Sequence, residues 1–320
     1  MPRQITSNGC GHRHVERLPA PLLGFRAEPP PRNENAFYAA GMSFENKSVL
    51  VTGGGSGIGA GVTEELVRRG AKVTIIGRGA ERLAESAQRI GESSGRTDAV
   101  RAHAADVTDE DQVAGAVAAA VEHGGGLDGV VACAGGSETI GPLTQMDSEA
   151  WKRTVDLNVN GMMFTLKHSA RALVARGGGS FVAISSIAAS NTHRWFGAYG
   201  VTKSAVDHLV TLAADELGAS RVRVNGIRPG LIETDLVAPI LSDPAIAEDY
   251  RVNTPIPRIG RVEDIAEAAA FLLGDGSTWI TGQVINVDGG QMLRRGPDFS
   301  SMLEPLFGAD GLRGVVADEG

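Results

Sequence analysis

A chain of 320 residues, 42% hydrophobic and 21% charged, is long enough to bury a full core, and its length suits one α/β domain with extensions at least as well as two domains. A net charge of −8 without a dense basic stripe argues against a nucleic-acid partner, and no apolar run reaches the length of a membrane span. Two cysteines far apart in sequence, Cys10 and Cys133, make no disulfide framework and suit a reducing cytoplasm.

Residues 1–41 are expected to be a poorly ordered extension. They are proline-rich (Pro29-Pro30-Pro31), carry scattered arginines and show no hydrophobic period. Glu16, Glu28 and Glu34 argue against an organellar transit peptide, and Cys10, His12 and His14 in such a segment do not make a metal site, so none is expected. Met42 directly precedes the folded pattern, and the expectation is that it is the native start or that the extension is dispensable.

From Ser48, short apolar runs alternate with segments of helical period. The runs 48–52, 72–76, 100–103, 129–132, 180–184, 223–226 and 283–287 read as strands, and 58–69, 81–90, 110–122, 148–175, 199–217 and 263–273 as helices. Alternation of this kind predicts a single Rossmann-like α/β domain over 42–290, a doubly wound parallel sheet of seven strands. The first strand runs into Gly53-Gly54-Gly55-Ser56-Gly57-Ile58-Gly59, which opens the first helix. Glycines there let the backbone turn tightly and approach a pyrophosphate, while free N–H groups at the helix start favour the anion. The second strand ends in Gly77-Arg78 with no carboxylate at Gly77. A planar guanidinium at Arg78 suits a 2′-phosphate, which favours NADP(H) and leaves NAD(H) as the alternative.

Tyr199 and Lys203 lie four apart on a predicted helix and share a face, so the ammonium is expected beneath the phenol, lowering its pKa toward proton transfer. Ser186 lies thirteen residues upstream. Between them, His193, Arg194, Trp195 and Phe196 are expected to border a substrate or to pack the loop. Residues 235–257, with four prolines, read as a mobile lid, and 291–320 as a tail whose Met302, Leu303, Leu306 and Phe307 cover a pocket or a neighbouring subunit.

Over residues 46–290 the motifs resemble the short-chain dehydrogenase/reductase family. The resemblance rests on Gly53, Gly57 and Gly59, Asp106 in Ala105-Asp106-Val107, Asn158 in Asp156-Leu157-Asn158-Val159-Asn160-Gly161, Ser186, Tyr199 with Lys203, Pro229-Gly230-Leu231-Ile232-Glu233-Thr234, and Asp288-Gly289-Gly290. It implies a catalytic set of Ser186, Tyr199, Lys203 and Asn158. In that set Tyr199 gives a proton to the substrate oxygen, Ser186 polarises that oxygen, Lys203 also binds the nicotinamide ribose and Asn158 positions a water in a proton relay. It implies cofactor contacts from Gly53, Ser56, Gly57, Ile58, Gly59, Arg78, Asp106, Val107, Ala134, Gly135, Asn158, Tyr199, Lys203, Pro229, Gly230, Ile232 and Thr234. One departure stands out, since the family's usual Asn-Asn-Ala-Gly is Ala132-Cys133-Ala134-Gly135 here.

The expected activity is hydride transfer between NADP(H) and a secondary alcohol or ketone, with a 3-oxoacyl, steroid-like or other lipid-derived carbonyl as the small-molecule substrate. An enoyl-thioester reductase is the alternative enzyme, and a non-catalytic NADP(H)-binding sensor or scaffold the alternative of another class. The resemblance also implies a homo-oligomer, a tetramer or dimer paired through the long helices 148–175 and 199–217.

Overall fold

The computed structural model describes residues 43–316 apart from 295 and 297, so Cys10, His12, His14 and Met42 lie outside the described residues. Strands β1 (Ser48–Thr52), β2 (Lys72–Gly77), β3 (Val100–Ala104), β4 (Gly129–Ala132), β5 (Gly179–Ile184), β6 (Val222–Pro229) and β7 (Val284–Val287) form one parallel sheet in the order β3-β2-β1-β4-β5-β6-β7. Val51 of β1 is registered against Ile75 on one side and Val131 on the other. Strand order therefore reverses between β1 and β4, and the chain leaves these two strands in opposite directions. The gap this opens at their C-terminal ends is where ligands of open α/β sheets sit.

Because a parallel sheet is covered on both faces, successive residues of one strand enter two different cores. Val49 and Val51 pack with Leu66 of α1 (Gly57–Arg68), with Leu83 and Ile90 of α2 (Ala80–Ser94) and, further on, with Ile265 of a late helix. Leu50 packs with Val113 of α3 (Glu110–Gly124) and with Leu173 and Val206 of later helices. Asp109 starts α3 by accepting hydrogen bonds from the Asp111 and Gln112 amides, a common helix-opening arrangement.

The single helix expected over 148–175 is instead α4 (Ser148–Val155) and α5 (Gly161–Arg176), joined by a π turn at Asp156–Asn160. A π turn inserts one residue into the helical winding, a local defect that carries an energetic cost and recurs at functional positions. Asn158 sits in it, almost completely buried. Helix α6 (Ala198–Leu217) follows β5, and after β6 come α7 (Ala238–Leu241), α8 (Pro244–Val252) and α9 (Val262–Leu273). The segment expected as a lid thus carries two short helices. Asp243 caps α8 with Pro244 behind it, a start signal readable in the sequence.

After β7 the tail forms α10 (Ser300–Leu312), kinked at Gly308 (φ 69). Its Phe299 and Leu303 meet Ile246 and Tyr250 of α8 in a third apolar cluster, which also takes in Trp195 and Phe196. Among the described residues no helix is long and apolar enough to cross a membrane.

Candidate active site

The glycine turn is built by close approach. Gly53 and Gly57 have φ of 69° and 51°, where a side chain is strained, and a Cβ on Gly59 would lie 2.3 Å from the Gly53 carbonyl oxygen. Ser56 forms no side-chain cap on α1, and the first turn of that helix has no acidic residue, so its N–H groups face the turn unneutralised. A Cβ on Gly54 would strike Ile75 at 2.5 Å, which locks the turn onto β2.

Arg78 stands exposed beyond the end of β2, without a carboxylate partner among the described residues. Sequence reasoning missed Arg82, whose stem lies 3.4 Å from where a Cβ on Gly55 would be. Its signal was position, one turn into α2 beside the glycine loop. At the end of β3, Asp106 accepts from the Thr108 amide at 3.0 Å and hydroxyl at 2.9 Å, which fixes its carboxylate. Val107 buries its side chain against Gly161, so only its backbone is open to a ligand.

Beyond β4, the Ala134 amide donates to the Thr52 hydroxyl (2.9 Å). A Cβ on Gly135 would come within 2.9 Å of Asn158 Oδ1 and 3.1 Å of Lys203 Nζ, so glycine lets three elements converge there. Cys133, in place of the family's asparagine, is a thiol pushed by burial up to about 12 and is inert at neutral pH. The Asn158 amide bonds the Gly136 backbone from both ends, accepting from its N–H (2.9 Å) and donating to its carbonyl (2.7 Å), and it also donates to the Thr202 hydroxyl (2.9 Å). With both N–H bonds used, this side chain splints β4 to α6 and has no donor left for a water. Gly136 and Thr202, its partners, were not foreseen.

Ser186 follows β5, where its hydroxyl accepts from the Ala188 amide (3.1 Å), and it lines the same cavity as the Tyr199 phenol. Helix α6 starts at Gly197 (φ 56), and the first amide, of Ala198, donates to the Thr139 hydroxyl (3.0 Å). A Cβ on Gly200 would lie 2.8 Å from the Ala188 carbonyl, so the helix runs hard against the serine loop. One turn in, Lys203 Nζ sits 5.6 Å from the Tyr199 ring centroid and donates to the Ile184 carbonyl (2.9 Å).

The electrostatics differ from the expected tuning. Burial raises the Tyr199 pKa above its ordinary value, and the Ser186 hydrogen bond only partly offsets this. Burial also lowers Lys203 to about 8, with Cys133 and Asp207 opposing that shift. The physical reason is the low-dielectric setting, which penalises phenolate and ammonium alike. The lysine therefore sits beneath the phenol as expected without lowering its pKa.

Ile58, Gly135, Ser186, Tyr199, Lys203, Pro229, Gly230, Ile232 and Thr234 line one cavity of about 430 Å³, within the size range of small-molecule sites. Thr234 reaches back to Gly57, its methyl 3.3 Å from where a Cβ there would be, so the β6 turn closes over the glycine turn. The rest of the wall is mainly apolar, with Ile140, Ile187, Leu231, Leu236, Val237 and Ile240. The loop before α6 divides. His193 and Phe196 line the cavity, whereas the Arg194 guanidinium lies outside it, 4.7 Å over the Trp195 ring. His193 Nδ1 donates to the Asn191 carbonyl (2.7 Å) and burial lowers its pKa, so it presents a neutral ring whose Nε2 accepts hydrogen bonds.

These residues fit a nicotinamide dinucleotide. The turn at Gly53, Gly57 and Gly59 leaves the space and free N–H groups a pyrophosphate needs, and the cavity with Tyr199 and Lys203 begins at Ile58 directly beside it.

A family model described as enoyl-(acyl carrier protein) reductase matches residues 53–292. Cis-4-hydroxycyclohexanecarboxylate dehydrogenase of Sinomonas cyclohexanicum is 37% identical over 250 residues, 78% of this chain and 98% of that protein. Among solved structures, a short-chain type dehydrogenase/reductase from Mycobacterium ulcerans is 64% identical with a TM-score of 0.84, over 86% of this chain and 100% of that one. A 7α-hydroxysteroid dehydrogenase complexed with NADH and 7-oxo glycochenodeoxycholic acid is 31% identical with a TM-score of 0.73, over 79% of this chain and 96% of that one.

Proposed function

The chain belongs to the short-chain dehydrogenase/reductase family of oxidoreductases, and from that membership we propose that it interconverts an apolar secondary alcohol and its ketone using NADP(H). The observation that carries this reading is that Ser186, Tyr199 and Lys203 line one largely apolar cavity that begins beside the glycine turn. The nicotinamide cofactor, when bound, supplies or takes the hydride. Gly53, Ser56, Gly57, Ile58 and Gly59 would hold its pyrophosphate, with Asp106, Val107, Ala134 and Gly135 toward the adenosine and Pro229, Gly230, Ile232 and Thr234 toward the nicotinamide.

The proton is the protein's share of the chemistry. Tyr199, whose phenol burial keeps protonated at neutral pH, donates to the substrate oxygen in reduction, and Ser186 holds that oxygen by a second hydrogen bond. Lys203 meets the ribose and resupplies the proton. Asn158 supports the relay by fixing Gly136 and α6, and its backbone, not its engaged amide, would meet water.

Arg78 and Arg82 support NADP(H), since Arg78 follows the end of β2, the Arg82 stem lies beside the glycine turn, and neither is ion-paired among the described residues, leaving both guanidinium groups free for a 2′-phosphate. The hydroxysteroid dehydrogenase structure is complexed with NADH, so NAD(H) is the alternative the measurement must exclude. Steady-state kcat/KM with NADPH and NADH on a panel of cyclic ketones is expected to favour NADPH, and Arg78→Ala with Arg82→Ala to erase the preference. A native preference for NADH would overturn it. The description of the matched family model supports a second reading, enoyl-thioester reduction. Ser186 beside Tyr199 favours the carbonyl, and enoyl thioesters in the same panel are expected to turn over poorly. Assembly as a homo-oligomer draws support from Val201 and Leu212, which α6 leaves exposed at 58% and 48%.

A further inference from the structure

The family match ends at residue 292, yet the chain goes on to build part of the cavity's surroundings. Leaving β7, the tail is tied first to the loop before α6. Asn191 Nδ2 donates to the Arg294 carbonyl (3.0 Å), and Gly296 runs so close that a Cβ there would lie 2.7 Å from the Thr192 carbonyl oxygen. It is tied next to α8, where the Arg294 guanidinium donates to the Val252 carbonyl (2.7 Å) and the Asp298 amide to the Asp249 carboxylate (2.8 Å). Further along, α10 reaches the segment after β4. Phe307 lies over Gly141, its ring 2.7 Å from where a Cβ would be, and Gln145 donates to the Gly311 carbonyl (3.4 Å). The loop before α6 and the segment after β4, which already bond each other through the Gly141 amide and the Trp195 carbonyl (2.7 Å), are thus tied together with α8 by one strap.

Phe299 lies at the centre of that strap and is fully buried. Its ring is 4.9 Å from Phe196 and 6.4 Å from Tyr250, and both of those side chains line the cavity. Phe196 is in turn 5.8 Å from Tyr199, so the aromatic contacts run from the tail to the reacting phenol. Packed rings in tilted and edge-on contact hold one another's rotamers. Without Phe299 the two lining rings lose their backing and the wall gains freedom to collapse or swing.

We propose that residues 298–316 form the outer layer of the substrate pocket, and that Phe299 is the positioning residue that fixes its width by backing Phe196 and Tyr250. The substrate class it selects is a ring-sized, apolar ketone or secondary alcohol, large enough to touch that wall. This rests on the oxidoreductase reading above for its choice of probes.

The test compares the full-length protein with Phe299→Ala and Phe299→Leu, using NADPH and a size series from acetone to cyclohexanone to a decalone. For Phe299→Ala, KM for the decalone is expected to rise at least about tenfold, while kcat for acetone and the Kd of NADPH change less than about twofold. Phe299→Leu, which refills most of the volume, should recover much of the loss and also serves if the alanine variant does not fold. An unchanged size dependence in the variants, or equal losses on every ketone together with cofactor binding, would overturn the proposal while leaving the oxidoreductase reading intact. If the unaltered protein reduces none of the ketones, that reading fails instead. The proposal is then judged on the shift in Tm that decalone produces with NADP+ present. A shift lost in both variants supports it, and no shift in the unaltered protein, or the same shift in all three, overturns it.

Discussion

Replacing Tyr199 by Phe removes one oxygen from a wall whose packing depends on the ring, which stays. The Phe196 contact and the helix start are indifferent to the change, whereas the proposed proton donor is gone. We expect kcat for ketone reduction to fall at least about a hundredfold, the usual scale for a positioned acid, with NADPH affinity by fluorescence titration nearly unchanged. Near-normal turnover would sink the assignment. Lys203 carries a pH dependence of known sign. Burial lowers it to about 8 from 10.5, so between those values the unfolded chain holds a proton that the folded one does not, and folded stability rises with pH there. On the proposed reading activity runs the other way, because the cation proposed to meet the ribose is lost as pH climbs through that value. The kcat/KM profile for reduction should therefore fall above pH of about 8, while Tyr199, raised by burial, is still protonated. A profile flat to pH 10 would mean that Lys203 stays charged or is not needed.

At the scale of elements, the strands could be read because alternate residues of each feed two cores, which leaves nearly continuous apolar runs such as Val49-Leu50-Val51. The π turn at 156–160 could not, since its cause lies in bonds from Asn158 to Gly136 and Thr202, remote in sequence. Trp195 is similar. Its φ of 72° is unusual for a bulky residue, and what accompanies it is tertiary, a bond from the Gly141 amide to its carbonyl (2.7 Å). Helices α1 and α9 are joined by Arg69, whose nearly buried guanidinium bonds both Glu65 and Glu267. Burial pushes the Glu65 pKa up, but bonds from Arg68 and Arg69 outweigh it and hold the carboxyl below its ordinary 4.5. Arg69→Ala should lower stability by about 1–3 kcal/mol at pH 7. A depressed carboxylate stabilises only above its unfolded pKa, so the gap between the two proteins should narrow as pH falls below 4.5. Equal Tm values at pH 7 would show the link to be idle.

For the molecule as a whole, the motifs mark the candidate cofactor site because each is local, a few residues at a strand end. The substrate end is assembled from the loop before α6, from α8 and from α10, and their meeting leaves no local pattern. Of the tail's expected covering residues, Met302, Leu303 and Phe307 do join the apolar cluster, whereas Leu306 is left 72% exposed, because Pro305 and the Gly308 kink break the helical period. The position of that strap in the chain has a consequence for synthesis. A ribosome delivers Gly53, Ser186 and Tyr199 well before Phe299, and domains fold as their segments emerge. The candidate nucleotide turn is thus made while the proposed outer layer of the pocket is still being synthesised. A nonsense codon late in the gene would then release a chain with its cofactor turn in place and an unfinished substrate side. A bulky fusion placed just after residue 292 would crowd the same surface.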